Sequence, residues 1–288
     1  MKTNILTILS FLTLLLLSAA IIMPDFVVDI VQETNLIEED KINQYVDIVR
    51  APQKRVESLK GNGPKTSKNK YSAQIVNEKE KFLLIGDSMM LEGFGPELEH
   101  SLLANHYNVV RVGKYSTGLI NSSYFDWTKT VNDLVEMHKA DVLVGTLGGN
   151  DGQAITLSNG TVIKFGTQQW KDSYKTIVDK FFKYISANFT KVYWVGLPIP
   201  EDKSIQEQYS LINSIQKEEA KKYDNIQYIS IWDLLVKDGG YSMIIKDNNN
   251  TPLVVRQGDG IHLTSDGGKI VTSHILDIIN STYKIEEK

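Results

Sequence analysis

Lys81-Phe82-Leu83-Leu84-Ile85-Gly86-Asp87-Ser88 is a short apolar run closed by a glycine and two polar residues. Apolar side chains at consecutive positions, over so short a span, suit a strand buried on both faces, as in a parallel sheet. Similar runs recur at residues 107–112, 141–147, 191–197 and 226–229. Residues 127–139, 170–187 and 205–223 lie between these runs, with apolar positions three and four apart, and residues 265–283 close the chain in the same way. That spacing predicts amphipathic helices. Strands alternating with helices imply an α/β fold, a mainly parallel five-stranded sheet covered on both faces.

Ligands bind open parallel sheets at the carboxyl ends of the strands. The residues just past each predicted strand therefore matter most. The first strand runs into Gly86-Asp87-Ser88, the second is succeeded by Ser116-Thr117-Gly118, and the third ends in Gly148-Gly149-Asn150-Asp151. A loop before the last helix reads Asp259-Gly260-Ile261-His262-Leu263-Thr264. The expected topology gathers a serine, a glycine amide, a carboxamide and an Asp/His pair on one rim. These are the parts of an acyl-transfer site.

The four segments resemble, in order, four signature blocks of the SGNH/GDSL hydrolase superfamily. Gly-Asp-Ser, a glycine after the second strand, Gly-x-Asn-Asp and Asp-x-x-His all stand at matching places. The resemblance runs from about residue 81 to the C-terminus. The wording Gly86-Asp-Ser-Met-Met, Gly93-Phe-Gly-Pro96, Ser116-Thr-Gly-Leu119 and Phe125-Asp-Trp127 is similar to an often exported bacterial branch of unknown function. The resemblance implies a flavodoxin-like three-layer α/β/α sandwich, with Ser88 as nucleophile, His262 as base and Asp259 as the carboxylate that orients it. It implies an oxyanion hole made by the Ser88 amide, the Gly118 amide and the Asn150 side chain.

Each assignment has a plainer competitor. Ser88 could simply cap a helix. Asn150 stands in Gly-Gly-Asn-Asp-Gly, a stretch full of turn residues. Gly113 competes with Gly118, whose lack of a side chain is expected to let the ester approach. Asp87 is expected to brace the turn rather than serve the triad, and Asp151 to brace its own loop. Of five histidines, His100, His106, His138 and His274 read as structural. Tyr115, Tyr241 and Arg256 are expected to touch substrate, the alternative being hydrophobic core for Tyr115 and ordinary loop positions for the other two. Phe125 and Trp127 could wall a sugar site or belong to the core.

Composition bounds the rest. A net charge of −4 offers no basic surface for nucleic acid, and the absence of cysteine removes disulfides, thiolate metal sites and cysteine nucleophiles. No metal or cofactor motif is present: no His-x-x-x-His, no phosphate-binding glycine loop and no Gly-x-Gly-x-x-Gly after a strand. Residues 3–23 carry no charge, and Asp25, Asp29, Glu33, Glu38, Glu39 and Asp40 come directly after them. Such a run can span the roughly 30 Å of a bilayer core, and the flanking charges put the remainder of the chain outside. The expected organisation is a signal anchor over residues 1–24, a juxtamembrane segment and flexible linker over 25–80, and a catalytic domain over 81–288. A cleaved signal peptide would export the domain equally. The expected activity is removal of O-acyl groups, most naturally acetyl, from a cell-envelope glycan. The rival readings are an O-acetyltransferase working beside a multi-pass acyl-exporting membrane partner, and a non-catalytic glycan-binding protein.

Overall fold

The computed structural model describes residues 80–286 other than Ser158 and Asn248. The expected anchor and linker lie outside the described residues. Among the described residues no helix is long and apolar enough to cross a membrane.

The chain runs through β1 (Lys81–Gly86), a π-helical turn (Met89–Gly93), α1 (Gly95–Ala104), β2 (Asn108–Gly113), α2 (Trp127–His138) and β3 (Val142–Thr146). A small hairpin, β4 (Ile155–Thr156) and β5 (Val162–Ile163), precedes α3 (Gln168–Asn188), β6 (Lys191–Val195), α4 (Lys203–Ala220) and β7 (Ile226–Ile229). Two further hairpins, β8 (Val236–Lys237) with β9 (Gly240–Tyr241) and β10 (Ile244–Lys246) with β11 (Pro252–Val254), lead to α5 (Ser265–Glu286). The five long strands form one sheet in the order β2-β1-β3-β6-β7, and every neighbouring pair is parallel. This is the doubly wound, flavodoxin-like order.

The pleat divides the core. Leu83 and Ile85 of β1 face one side, with Leu143, Val192 and Trp194, and pack against Val131 of α2, Phe182 of α3 and Ile212 of α4. Phe82 and Leu84 face the other side, with Val144, Tyr193 and Val195, and pack against Leu98 of α1 and Val271 and Ile275 of α5. Alternate residues of β1 thus serve opposite cores, which is why Phe82 to Ile85 is an unbroken apolar run. The result is the expected three-layer sandwich.

The helices begin where their caps dictate. Asp126 accepts from Lys129 N, Thr167 from Trp170 N, and Asp202 from Ser204 N and Ile205 N. The π turn, α1 and the hairpins are not legible in the sequence. Strands of two or three residues carry no readable period.

Candidate active site

Ser88 sits at the carboxyl end of β1, on the turn that starts the π helix. Gly86 makes this turn possible, because a Cβ there would lie 2.6 Å from the Thr146 carbonyl of β3. Ser88 makes no capping hydrogen bond through its side chain. Its hydroxyl is engaged elsewhere: Oγ lies 2.8 Å from His262 Nε2.

His262 belongs to the loop before α5, and the Asp-x-x-His spacing explains its orientation. Asp259 Oδ1 accepts from the N–H of Ile261 and of His262, each at 2.9 Å. Its other oxygen, Oδ2, lies 2.5 Å from His262 Nδ1. One carboxylate therefore folds the loop and holds the ring. An ionised carboxylate only accepts, so Nδ1 carries hydrogen and Nε2 presents its lone pair to Ser88. Burial pushes the Asp259 carboxyl up, but the hydrogen bonds from the His262 ring and the Ile261 and His262 amides outweigh it, and the carboxyl falls to about 2.

The loop is tied down on both sides. Gly260 has a φ of +70°, and a Cβ there would meet Glu201 Oε2 at 2.5 Å. Its carbonyl accepts from Glu201 N at 2.9 Å. Gln257 N donates to the His262 carbonyl at 2.8 Å.

Asp87 lies on the other side of Ser88 and is 2% exposed. Its Oδ1 accepts from Met89 N at 3.0 Å, so it braces the turn. Burial first, and then the nearby Asp151 carboxylate, raise it to about 7 against the pull of Met89 N–H and His262. Asn150 Nδ2 donates to the Thr117 carbonyl at 2.8 Å and to Asp87 Oδ2 at 3.4 Å. Asp151 is fully buried and takes Leu119 N, Ile120 N and the Tyr174 hydroxyl. It braces the loop that begins after Gly118. A buried chain continues from Tyr174 to Gln216 and on to Trp194 Nε1.

Ser88, Asp87, Gly149, Asn150 and His262 line one cavity of about 170 Å³, walled by Leu197 and by Ile205, Gln208 and Tyr209 of α4. Asn150 is thus brought to Ser88. Gly118 is not among the cavity's lining residues. It lines a separate cavity of about 660 Å³, and a Cβ on it would lie 2.1 Å from Asp151 Oδ1. Its missing side chain makes room for that carboxylate rather than for an ester.

The three expected substrate contacts are also not in the Ser88 cavity. Arg256 is 1% exposed, and its guanidinium donates to the Ile199 and Ile261 carbonyls at 3.0 and 3.3 Å. It fastens the His262 loop to the segment after β6. Burial lowers its pKa to about 10. Tyr241 lies beside it, its ring centroid 5.9 Å from the guanidinium carbon, with its hydroxyl buried and without a hydrogen-bond partner among the described residues. Tyr115 is 53% exposed and lines neither cavity. Trp127 is core, 2% exposed, with Nε1 donating to Thr117 Oγ1 and an edge-on contact with Phe125.

Sequence reasoning misses the wall that α4 supplies. Ile205, Tyr209, Ile212 and Gln216 recur at spacings of four, three and four. A polar group on such an apolar stripe is the available signal. Among the described residues no group of three or more His, Asp or Glu is placed to hold a metal ion.

No curated protein matches the chain. Among solved structures it is similar to a catalytic mutant of an acetylxylan esterase from Geobacillus stearothermophilus, with 13% identity, a TM-score of 0.52, and 70% of this chain and 94% of that one covered. It is similar to an alpha/beta hydrolase enzyme from the metagenome of Lake Arreo, Spain, with 13% identity, a TM-score of 0.50, and 69% and 94% covered. At such identities the likeness is one of fold. The model of the family described as "Protein of unknown function (DUF459)" matches residues 81–278. That span carries the Ser88, Asn150 and Asp259–His262 segments and the whole parallel sheet, and by it the chain belongs to this SGNH/GDSL-like family.

Proposed function

We propose that the protein is a serine esterase that removes short O-acyl groups, acetyl foremost, from a glycan of the cell envelope. The observation that carries this reading is the position of His262 Nε2 and Nδ1, 2.8 Å from Ser88 Oγ and 2.5 Å from Asp259 Oδ2. His262 takes the hydroxyl proton as Ser88 Oγ attacks the ester carbonyl. The tetrahedral oxygen is stabilised by donors that line the cavity, Asn150 Nδ2 among them. Collapse breaks the bond to the sugar oxygen, and His262 returns the proton to that oxygen. Water then gives its proton to His262 and attacks the acyl-Ser88 carbonyl, and the carboxylic acid leaves as Ser88 recovers its hydrogen.

Size supports a short acyl group. A cavity of about 170 Å³ is close to the ~150 Å³ that holds one benzene molecule, so the ester carbonyl and a few carbons fill it. The uncharged residues 3–23 and the acidic stretch behind them support a membrane-anchored, extracytoplasmic address, where the accessible acylated polymers are envelope glycans. The similar fold of an acetylxylan esterase is in keeping with deacetylation.

The test is turnover of 4-nitrophenyl acetate by the full-length chain, wild type against Ser88→Ala, with and without oligosaccharide acceptors and with products tracked by mass spectrometry. Ser88→Ala is expected to lower kcat by about 10⁴-fold or more. Free acetate as the sole product supports the esterase. Ser88-dependent acetylation of the oligosaccharide instead assigns a transferase, the outcome that calls for an acyl-exporting membrane partner. Turnover that persists in Ser88→Ala refutes both, and no turnover by either protein leaves a stringent native substrate or a binding role.

A further inference from the structure

The wall that α4 contributes to the cavity holds a hydroxyl with nothing to do. Tyr209 is 5% exposed, and its ring packs in the core with Ile212 and Trp194. Among the described residues its hydroxyl makes no hydrogen bond, and the residue lines the cavity that holds Ser88, Asn150 and His262. By contrast, the hydroxyl of Tyr174, equally buried on the same side of the sheet, binds both Asp151 and Gln216. The idle hydroxyl stands over the Gly149–Asn150 segment. A Cβ on Gly149 would come 3.1 Å from it and 3.2 Å from Asp87 Oδ2, the atom that neighbours Asn150 Nδ2.

Beside the Ser88 amide, the side-chain donor expected there, Asn150 Nδ2, already gives hydrogen to the Thr117 carbonyl and to Asp87 Oδ2. A developing oxyanion needs donors fixed in place before the reaction. We propose that Tyr209 is a catalytic residue whose hydroxyl donates to the acyl oxygen as it turns negative, adding an uncommitted side-chain donor to the oxyanion hole. This rests on Ser88 being the nucleophile. Burial above all, and then the Asp87 and Asp259 carboxylates, hold the phenol well above its ordinary pKa, so it remains a donor and never competes with His262 as a base. The ring is locked by the core, so the hydroxyl needs no reorganisation when charge appears.

The experiment compares wild type, Ser88→Ala and Tyr209→Phe in the full-length chain on 4-nitrophenyl acetate, separating kcat from KM. It also measures inhibition by a small boronic acid, which forms a tetrahedral adduct on a nucleophilic serine. Tyr209→Phe is expected to lower kcat by about 10²–10³-fold with KM little changed, and to weaken the boronic acid in parallel. A merely structural tyrosine would not shift kcat and boronate affinity together at unchanged KM. A kcat close to wild type overturns the proposal, as does a rise in KM alone, which would make the hydroxyl a ground-state contact. If Tyr209→Phe fails to fold, 3-fluorotyrosine at position 209 keeps the ring and alters the hydroxyl's acidity, and an unchanged kcat then overturns the proposal. Ser88→Ala separates the two levels. Wild-type turnover in that variant sinks the esterase reading itself, whereas its inactivity beside a normal Tyr209→Phe sinks only the tyrosine.

Discussion

Asp87 and Asp259 flank the same serine–histidine pair under opposite conditions. Asp87 is next to Ser88 in the chain, 2% exposed, and raised to about 7 chiefly by burial. Asp259 is 171 positions from Ser88, its side chain is 45% exposed, and three hydrogen bonds bring it to about 2. The difference separates two jobs that a carboxylate can do beside a histidine. A permanent anion orients the ring and stabilises the imidazolium, and that requires donors and some water. A carboxyl that keeps its proton to neutrality brings little charge to the site and serves as an acceptor for its own turn. Sequence adjacency favours Asp87, whereas the hydrogen bonds favour Asp259.

The most severe way to break the comparison is Asp259→Asn. An amide cannot enforce the tautomer with hydrogen on Nδ1, and kcat is expected to fall by about 10³–10⁴-fold at neutral pH with little loss of fold. Steady-state kinetics and a melting curve check both halves.

Asp87→Asn tests the other side and is expected to cost far less activity, because the amide oxygen still accepts from Met89 N–H. Its signature is in stability against pH. The folded state holds the Asp87 proton up to about 7, whereas an ordinary aspartate releases its proton at 3.8. Between those values the folded state binds more protons than the unfolded state. Stability therefore declines as pH rises through that window, by up to about 4 kcal/mol. Asp87→Asn should flatten this slope, as urea unfolding on either side of the window would reveal. An unchanged slope would place the proton elsewhere.

A third carboxylate sharpens the contrast. Asp151 is as buried as Asp87 but takes three donors, and its place against Gly118 leaves no room for a methyl group. Gly118→Ala should destabilise the fold by about 1–3 kcal/mol through that clash, visible as a lower melting temperature. Activity should fall only as far as the Thr117 carbonyl shifts Asn150.

The parallel sheet is legible in the chain because a strand buried on both faces is apolar at every position and because helices separate such runs. The Ser88, Asn150 and Asp259–His262 segments are legible because each lies at a strand end or in one short loop. Asp259 and His262 in particular are linked by local geometry, a carboxylate that accepts two amides two and three residues on and still reaches the ring. The residues that lie away from the Ser88 cavity share a different cause. Arg256, Tyr241 and Tyr115 look alike in sequence, polar or amphipathic residues in loops near the motif. Yet Arg256 plugs two main-chain carbonyls in the interior while Tyr115 faces solvent. Tyr209 is hidden by the reverse effect, since an aromatic residue on a helix's apolar stripe reads as core until the fold shows which end of the ring meets a cavity. Gly118 stands out for the right reason, a close approach, but the approaching group is Asp151.

The hydrogen bond from the Ser88 hydroxyl to His262 spans 174 positions of the chain. A ribosome delivers the nucleophile well before its base, with four of the five strands of the parallel sheet made in between. Every truncated product that stops short of residue 259 carries a serine without its activator. The emerging polypeptide is thus inert until His262 has emerged and docked against Ser88, and ester turnover reports that both events have occurred.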